Sequence, residues 1–241
     1  MILFFSITKH RIWLVSLLAC AVIALVICGD LREREELKPV AGIPIANRVV
    51  VIDAGHGGFD AGASANGIEE KEINLSVAQK LREYIEAGGG VAVMTRVEDV
   101  STAEAGSNGK SAKKSDLSNR KQLSQTVNAD VFVSIHMNKF PQTQYKGAQV
   151  FYGEKPSDGK RLGETIQASL KEILDESNQR VAKKTDGSIF ILKDTSVPSV
   201  IVECGFLSNP EEAELLTKDE YRQKIAWGIY LGLVRYFNEQ A

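Results

Sequence analysis

From residue 47 onward, short runs of β-branched residues alternate with stretches of helical period, and few architectures accommodate that order. "RVVVID" (48–53), "VAVMT" (91–95), "DVFVSIH" (130–136), "AQVFY" (148–152), "SIFIL" (188–192) and "PSVIVE" (198–203) read as strands. Between them, Ile73, Val77, Leu81 and Ile85 recur at every fourth position, as do Leu162, Ile166, Leu170 and Leu174, and then Ile225, Ile229 and Leu233. Strands and helices alternating within one domain predict an α/β fold: a single domain over residues 47–241, with about six strands in a mostly parallel or mixed sheet flanked by helices. The stretch "EDVSTAEAGSNGKSAKKSD" (98–116) is polar and rich in Gly, Ser and Lys, and reads as a long mobile loop. No internal repeat is present.

The chain before that domain has a different composition. Ile12 to Cys28 carry no charge, Ser16 is their only hydroxyl residue, and Lys9, His10 and Arg11 directly precede them. A helix over that run would span ~25 Å, near the lower limit for crossing a bilayer. The basic flank lies before the run and the acidic "DLREREE" (30–36) after it, so the expected orientation leaves the N-terminus in the cytoplasm and the rest outside. Residues 1–29 are therefore read as a signal or anchor segment, with retention favoured because no small-x-small cleavage site follows. Residues 30–46 are read as a linker. Over the 241 residues the formal net charge is −2, which offers no electrostatic reason for a nucleic-acid partner. Cys20, Cys28 and Cys204 are too few and too scattered for a disulfide framework or a thiolate metal site.

In an open α/β sheet the functional crevice lies outside the carboxyl ends of the strands. His56 follows the first strand in a glycine-rich "GHGG", His136 closes the third, and Glu203 closes "PSVIVE". Three apolar strands thus deliver to one rim a residue able to bind metal or move a proton. A further carboxylate is available from Glu69 or Glu70, at the start of the helix that returns from the glycine loop; periodicity does not choose between them. Two imidazoles and one carboxylate make a catalytic zinc set with a fourth position open. The glycines allow close approach, and a metal bond would hold an imidazole that has little packing. Asp53 is a candidate to orient His56, or to cap the next turn. Strand alternation sends Cys204 to the face opposite Glu203, into the core. Trp227 and Tyr230 read as packing residues of the last helix.

"VVIDAGHGGFDAGA", "EEKEINLSVAQKL", "ADVFVSIHMN" and "VIVECGFLSN" occur in this order over about residues 47–238. Together they resemble the zinc-dependent N-acetylmuramoyl-L-alanine amidases of the amidase-3 type. The resemblance implies one zinc bound by His56, Glu70 and His136, with Glu203 as the catalytic carboxylate and peptidoglycan as the substrate. One departure is Met137, where many members have Ala; it stands beside His136 and is expected to narrow the substrate groove. A single catalytic domain behind an export segment is most similar to the amidases acting on spore cortex. That implies stem removal as a step towards muramic-δ-lactam and germination, a separate deacetylase acting afterwards, and an activating partner protein. The alternatives are a vegetative wall amidase in division or turnover, a zinc peptidase cutting a neighbouring bond, and a non-catalytic wall-binding module of the same fold.

Overall fold

The computed structural model describes residues 21–22, 43–65, 67–153 and 158–240. Apart from residues 21–22, the expected membrane segment falls outside the described residues, and no helix among those described is long and apolar enough to cross a membrane. Within the compact unit that begins at Ile43, six strands form one sheet. These are β1 (Val49–Ala54), β4 (Val91–Met94), β5 (Val131–Asn138), β6 (Gln149–Tyr152), β7 (Lys183–Lys184) and β8 (Ser199–Phe206). Their spatial order is β4-β1-β5-β8-β6-β7. β6 runs antiparallel to β8 and every other pairing is parallel, so the sheet is mixed. A two-residue hairpin, β2 (Ser64–Ala65) with β3 (Ile68–Glu69), precedes the first helix.

Alternation along the three central strands divides the sheet into two unlike faces. Val50, Ile52 and Ala54 of β1, Val131, Val133, Ile135 and Met137 of β5, and Val200, Val202 and Cys204 of β8 all enter the larger apolar core. Three helices cover that face: α1 (Glu70–Ala87), α3 (Gly159–Leu174) and α5 (Asp219–Asn238). Each presents the apolar stripe expected from its sequence, with Ile73, Val77, Leu81 and Ile85 buried on α1, Leu162, Ile166 and Leu170 on α3, and Ile225, Ile229 and Leu233 on α5. Full burial of one such side chain contributes ~1.5–3 kcal/mol, which is why the stripes rather than helix propensity fix these elements. A short helix, α4 (Pro210–Thr217), leaves β8 through an Asn209 cap that accepts from the amides of Glu211 and Glu212, with Pro210 in the first turn.

The opposite face is apolar only at its base, where Val51, Phe132 and Ile201 pack with Ala129, Ile191 and Leu192. Above them the same columns turn polar: Asp53 on β1, Ser134 and His136 on β5, and Glu203 on β8. Two elements here differ from the sequence reading. The stretch read as a loop over 98–116 instead contains the start of an 18-residue helix, α2 (Gly109–Thr126). Apolar periodicity missed it because its buried side chains are Ala112, Asp116, Arg120 and Ser124, a four-residue spacing carried almost wholly by polar groups. "SIFIL" is not a strand; Phe190–Leu192 form a 3-10 turn that packs against α2. The sixth strand is β7, formed by two exposed lysines beside β6.

Met137 also departs from expectation. It is buried in the large core, because alternation turns it away from His136, so it does not narrow a groove on the polar face. Cys204 is buried, as alternation from Glu203 requires, and its thiol is pushed well up by burial and by the nearby Glu203 charge.

Candidate active site and metal centre

Glu70 is the hub of the polar face. It is the first residue of α1, delivered by the β2–β3 hairpin, and is buried. Its Oε1 lies 2.9 Å from His136 Nδ1 and 3.2 Å from His56 Nε2. Oε1 also accepts from the Met137 amide at 3.0 Å, while Oε2 accepts from the Ala63 amide at 2.8 Å. Burial opposes ionisation of Glu70, yet its hydrogen bonds with His136 and His56 and their charge outweigh burial and hold the carboxyl well below its usual range. Glu69, in contrast, is part-exposed and its carboxylate sits 3.4 Å from the ammonium of Lys71.

One ligand atom from each of His56, Glu70 and His136 lies within 4.8 Å of the others, and the three side chains can hold a metal ion. Ligand atoms on a tetrahedral zinc stand about 3.4 Å apart, given metal–ligand distances near 2.0–2.1 Å. The two measured contacts of Glu70 Oε1 are close to that edge length. Two neutral imidazoles and an ionised carboxylate are also the donor chemistry that zinc takes in open sites.

The backbone around His56 is held as firmly as the side chains. His56 adopts a left-handed conformation, φ 61°. Two arginines grip the carbonyls on either side of that bend. Arg96 donates to Ala54 O at 2.8 Å, Gly55 O at 3.1 Å and Lys71 O at 2.7 Å. Arg120 donates to Ala54 O at 2.8 Å and His56 O at 2.6 Å. Close approach explains two glycines. A Cβ on Gly55 would stand 2.3 Å from His136 Nε2, and one on Gly62 would stand 2.6 Å from Glu70 Oε2 with φ already at +71°.

Asp53 does not take the orienting role considered for it. It is buried between Arg120 Nη1 (2.9 Å), Ser134 Oγ (2.6 Å) and Thr95 Oγ1 (2.8 Å). Burial opposes its charge, but the Arg120 guanidinium and the Ser134 hydroxyl prevail and keep its pKa lowered. The residue beside His56 is Asp60, whose Oδ2 lies 2.9 Å from His56 Nδ1 and 2.5 Å from Lys113 Nζ. An acceptor on Nδ1 fixes the tautomer that leaves Nε2 free towards Glu70. Sequence reasoning missed Asp60, Arg96 and Arg120. The "GHGGFD" spacing signals Asp60, at four residues beyond His56, but nothing local marks the two arginines.

Glu203 stands directly opposite His136 in the β5–β8 ladder. The register shifts just beyond, between His136 and Asn138, so that Asn138 faces Phe206. Glu203 Oε2 is buried and has no hydrogen-bond partner among the described residues. Burial pushes its carboxyl up to about 7, reinforced by Glu70 and partly offset by His136 and His56. A carboxyl beside three side chains that can hold a metal, poised near neutrality and with one buried oxygen unpartnered, can accept and return a proton.

Comparison with known proteins agrees with this geometry. Residues 50–235 match the Amidase_3 family, N-acetylmuramoyl-L-alanine amidase. The germination-specific N-acetylmuramoyl-L-alanine amidase of Bacillus subtilis is 35% identical, over 96% of this chain and 97% of that one. The amidase AmiA of Escherichia coli is 31% identical over 83% of this chain and 80% of its own. Among solved structures, the CwlD amidase of Clostridioides difficile, determined in complex with the GerS lipoprotein, superposes with a TM-score of 0.77 at 44% identity. That match covers 80% of this chain and 100% of that one. The sequence blocks, the mixed sheet and the full-length relatives converge on one assignment: this chain belongs to the Amidase_3 family and is an N-acetylmuramoyl-L-alanine amidase of peptidoglycan.

Proposed function

We propose that one zinc ion is held by His56, Glu70 and His136, and that Glu203 is the proton carrier for hydrolysis of the amide between N-acetylmuramic acid and L-alanine. The observation that carries this reading is the buried, unpartnered oxygen of Glu203 standing across the ladder from His136. Burying such an oxygen without a partner is costly, and a reactant proton is the partner it lacks. Zinc bound there supplies Lewis acidity, polarising the oxygen at which negative charge develops. Glu203 takes the proton from the attacking water and delivers it to the departing L-alanyl nitrogen. Asp60 keeps His56 in one tautomer, and Arg96 and Arg120 keep its loop from relaxing out of the left-handed bend.

The natural substrate we infer is spore cortex peptidoglycan, with stem removal preparing the sugar for muramic-δ-lactam formation by a later-acting deacetylase, and so for germination. The near full-length similarity to a germination-specific amidase supports this. An activating partner is inferred by likeness to the CwlD amidase, whose structure contains a lipoprotein. Residues 1–29 are proposed as an export or anchor segment; the linker read over 30–46 ends before Ile43, because Ile45 is buried in the large core, and the catalytic domain is proposed to lie on the outer face of the membrane, where peptidoglycan lies.

The test is a digest of purified cortex peptidoglycan analysed by mass. Free stems beginning at L-alanine are expected, chelation should abolish their release, and about one zinc per chain should restore it. Shortened stems with L-alanine still on the sugar would make the protein a peptidase, and full activity in a metal-free preparation would remove zinc from the mechanism. A vegetative wall role is favoured instead if cortex and vegetative sacculi are cut at equal rates.

A further inference from the structure

A cavity of about 150 Å³ opens beside His56 and His136, between the sheet and α2. A second, of about 270 Å³, lies further out along the same helix. Both are bounded by Lys113, Leu117 and Phe190, so they form one groove leading away from the ligand set between α2 and the 3-10 turn. Its wall is apolar, with Leu117 and the part-exposed ring of Phe190. Its rim is cationic, formed by Lys110, Lys113 and Lys114. The acidic groups that border it are already committed. Asp53 and Asp116 pair with Arg120 at 2.9 and 2.7 Å, and Asp60 with Lys113 and His56. Lys110 and Lys114 are exposed and pair with no carboxylate of the described residues.

The two sides of the scissile amide differ in charge. The lactyl carboxyl of the sugar is consumed in the amide, which leaves the glycan side neutral, whereas a stem peptide carries free carboxylates. A groove with an apolar wall and a rim on which two of the three lysines, Lys110 and Lys114, pair with no carboxylate of the described residues is complementary to the second. We propose that this groove is the subsite for the stem: it receives an acidic peptide leading from the scissile bond, and Lys110 and Lys114 are specificity-determining residues that attract its carboxylates. The proposal rests on the amidase reading with the reacting centre at His56, Glu70 and His136. Missing the polar-faced helix α2 hides the groove in the sequence, because its lysines then appear to belong to a loop.

The experiment compares N-acetylmuramoyl-L-alanyl-D-isoglutamate with its D-isoglutamine amide, which differs by one carboxylate. Both are measured with the unsubstituted protein and with Lys110→Glu/Lys114→Glu, and zinc content is determined for each. Reversing two rim charges is expected to raise KM for the acidic substrate about tenfold relative to the amide. In the unsubstituted protein, KM for the acid alone should climb as salt screens the rim. An acid-to-amide KM ratio that does not move, or equal changes for both substrates, overturns the groove assignment. Zinc content is read separately. A protein that shows the expected ratio but binds no metal overturns the metal centre and leaves the groove standing, whereas absence of cleavage of both substrates overturns both.

Discussion

Replacing Arg120 with Met should destabilise this protein severely, and the reason can be followed atom by atom. The guanidinium and the Asp53 carboxylate are each only 1% exposed. Arg120 contacts Asp53 at 2.9 Å, Asp116 at 2.7 Å, Ala54 O at 2.8 Å and His56 O at 2.6 Å. Methionine retains most of the aliphatic stem, so the loss is electrostatic rather than a cavity. Removing one partner of a buried pair costs ~3–5 kcal/mol, chiefly because the other charge is stranded. Against a total of ~5–15 kcal/mol, that is a large share. For a domain of this size it corresponds to a Tm lower by about 6–20 °C. The pH dependence gives a sharper check. In the parent, Asp53 has a lowered pKa, so its contribution is complete above the unfolded value near 3.8 and is lost as pH falls through the lower folded value. Without the guanidinium, burial dominates and the folded pKa rises above the unfolded one; the variant is then penalised as pH climbs and relieved as it drops. The stability gap should therefore be widest at pH 7 and shrink towards pH 4. Urea unfolding followed by circular dichroism, on metal-free protein at both pH values, measures it. A loss below about 1 kcal/mol, or a gap that stays constant between pH 7 and pH 4, would refute the reasoning. Arg120→Lys, which keeps the charge but loses the fork, should fall between parent and Met variant. Adding Asp53→Asn to the Met variant should recover part of the loss.

Two further substitutions separate proton transfer from metal holding. Glu203→Gln keeps shape and removes the basic oxygen; zinc content should stay near one per chain while kcat falls by about 10²–10⁴-fold, or ~3–5 kcal/mol of transition-state stabilisation. Loss of zinc in this variant would make Glu203 a ligand, and a rate decrease under about tenfold would remove it from the chemistry. Asp60→Asn should behave in the opposite sense, weakening zinc affinity by about 10–100-fold, as titration against a competing chelator reads it, because His56 loses the charged acceptor on Nδ1. Unchanged affinity would mean that the Arg120 grip on the His56 carbonyl orients the imidazole by itself.

What the sequence discloses about this fold follows the physics of its two faces. On the large core, apolar periodicity and burial are the same signal, so the stripes of α1, α3 and α5 and the inward turn of Cys204 follow from spacing alone. The rim residues His56, His136 and Glu203 are legible for a related reason: each interrupts or ends an apolar run where burial alone would not place it. The choice of Glu70 over Glu69 needed the family resemblance, because it turns on where a two-residue hairpin stops and a helix begins. The other face is held together by charge, and charge leaves no period that a hydrophobic scan detects. α2 buries Asp116, Arg120 and Ser124, and the partners that make this tolerable, Asp53, Ser101, Thr102 and the backbone of Ala54 and His56, come from two other segments of the chain. Such a helix has no independent reason to form until the sheet supplies those partners, so its sequence resembles a loop. The same dependence explains its position. A catalytic face cannot be sealed with leucine without excluding water and an amide substrate, whereas a cover tied down by buried ion pairs fixes the His56 loop at one end and leaves a lysine-rimmed groove open at the other.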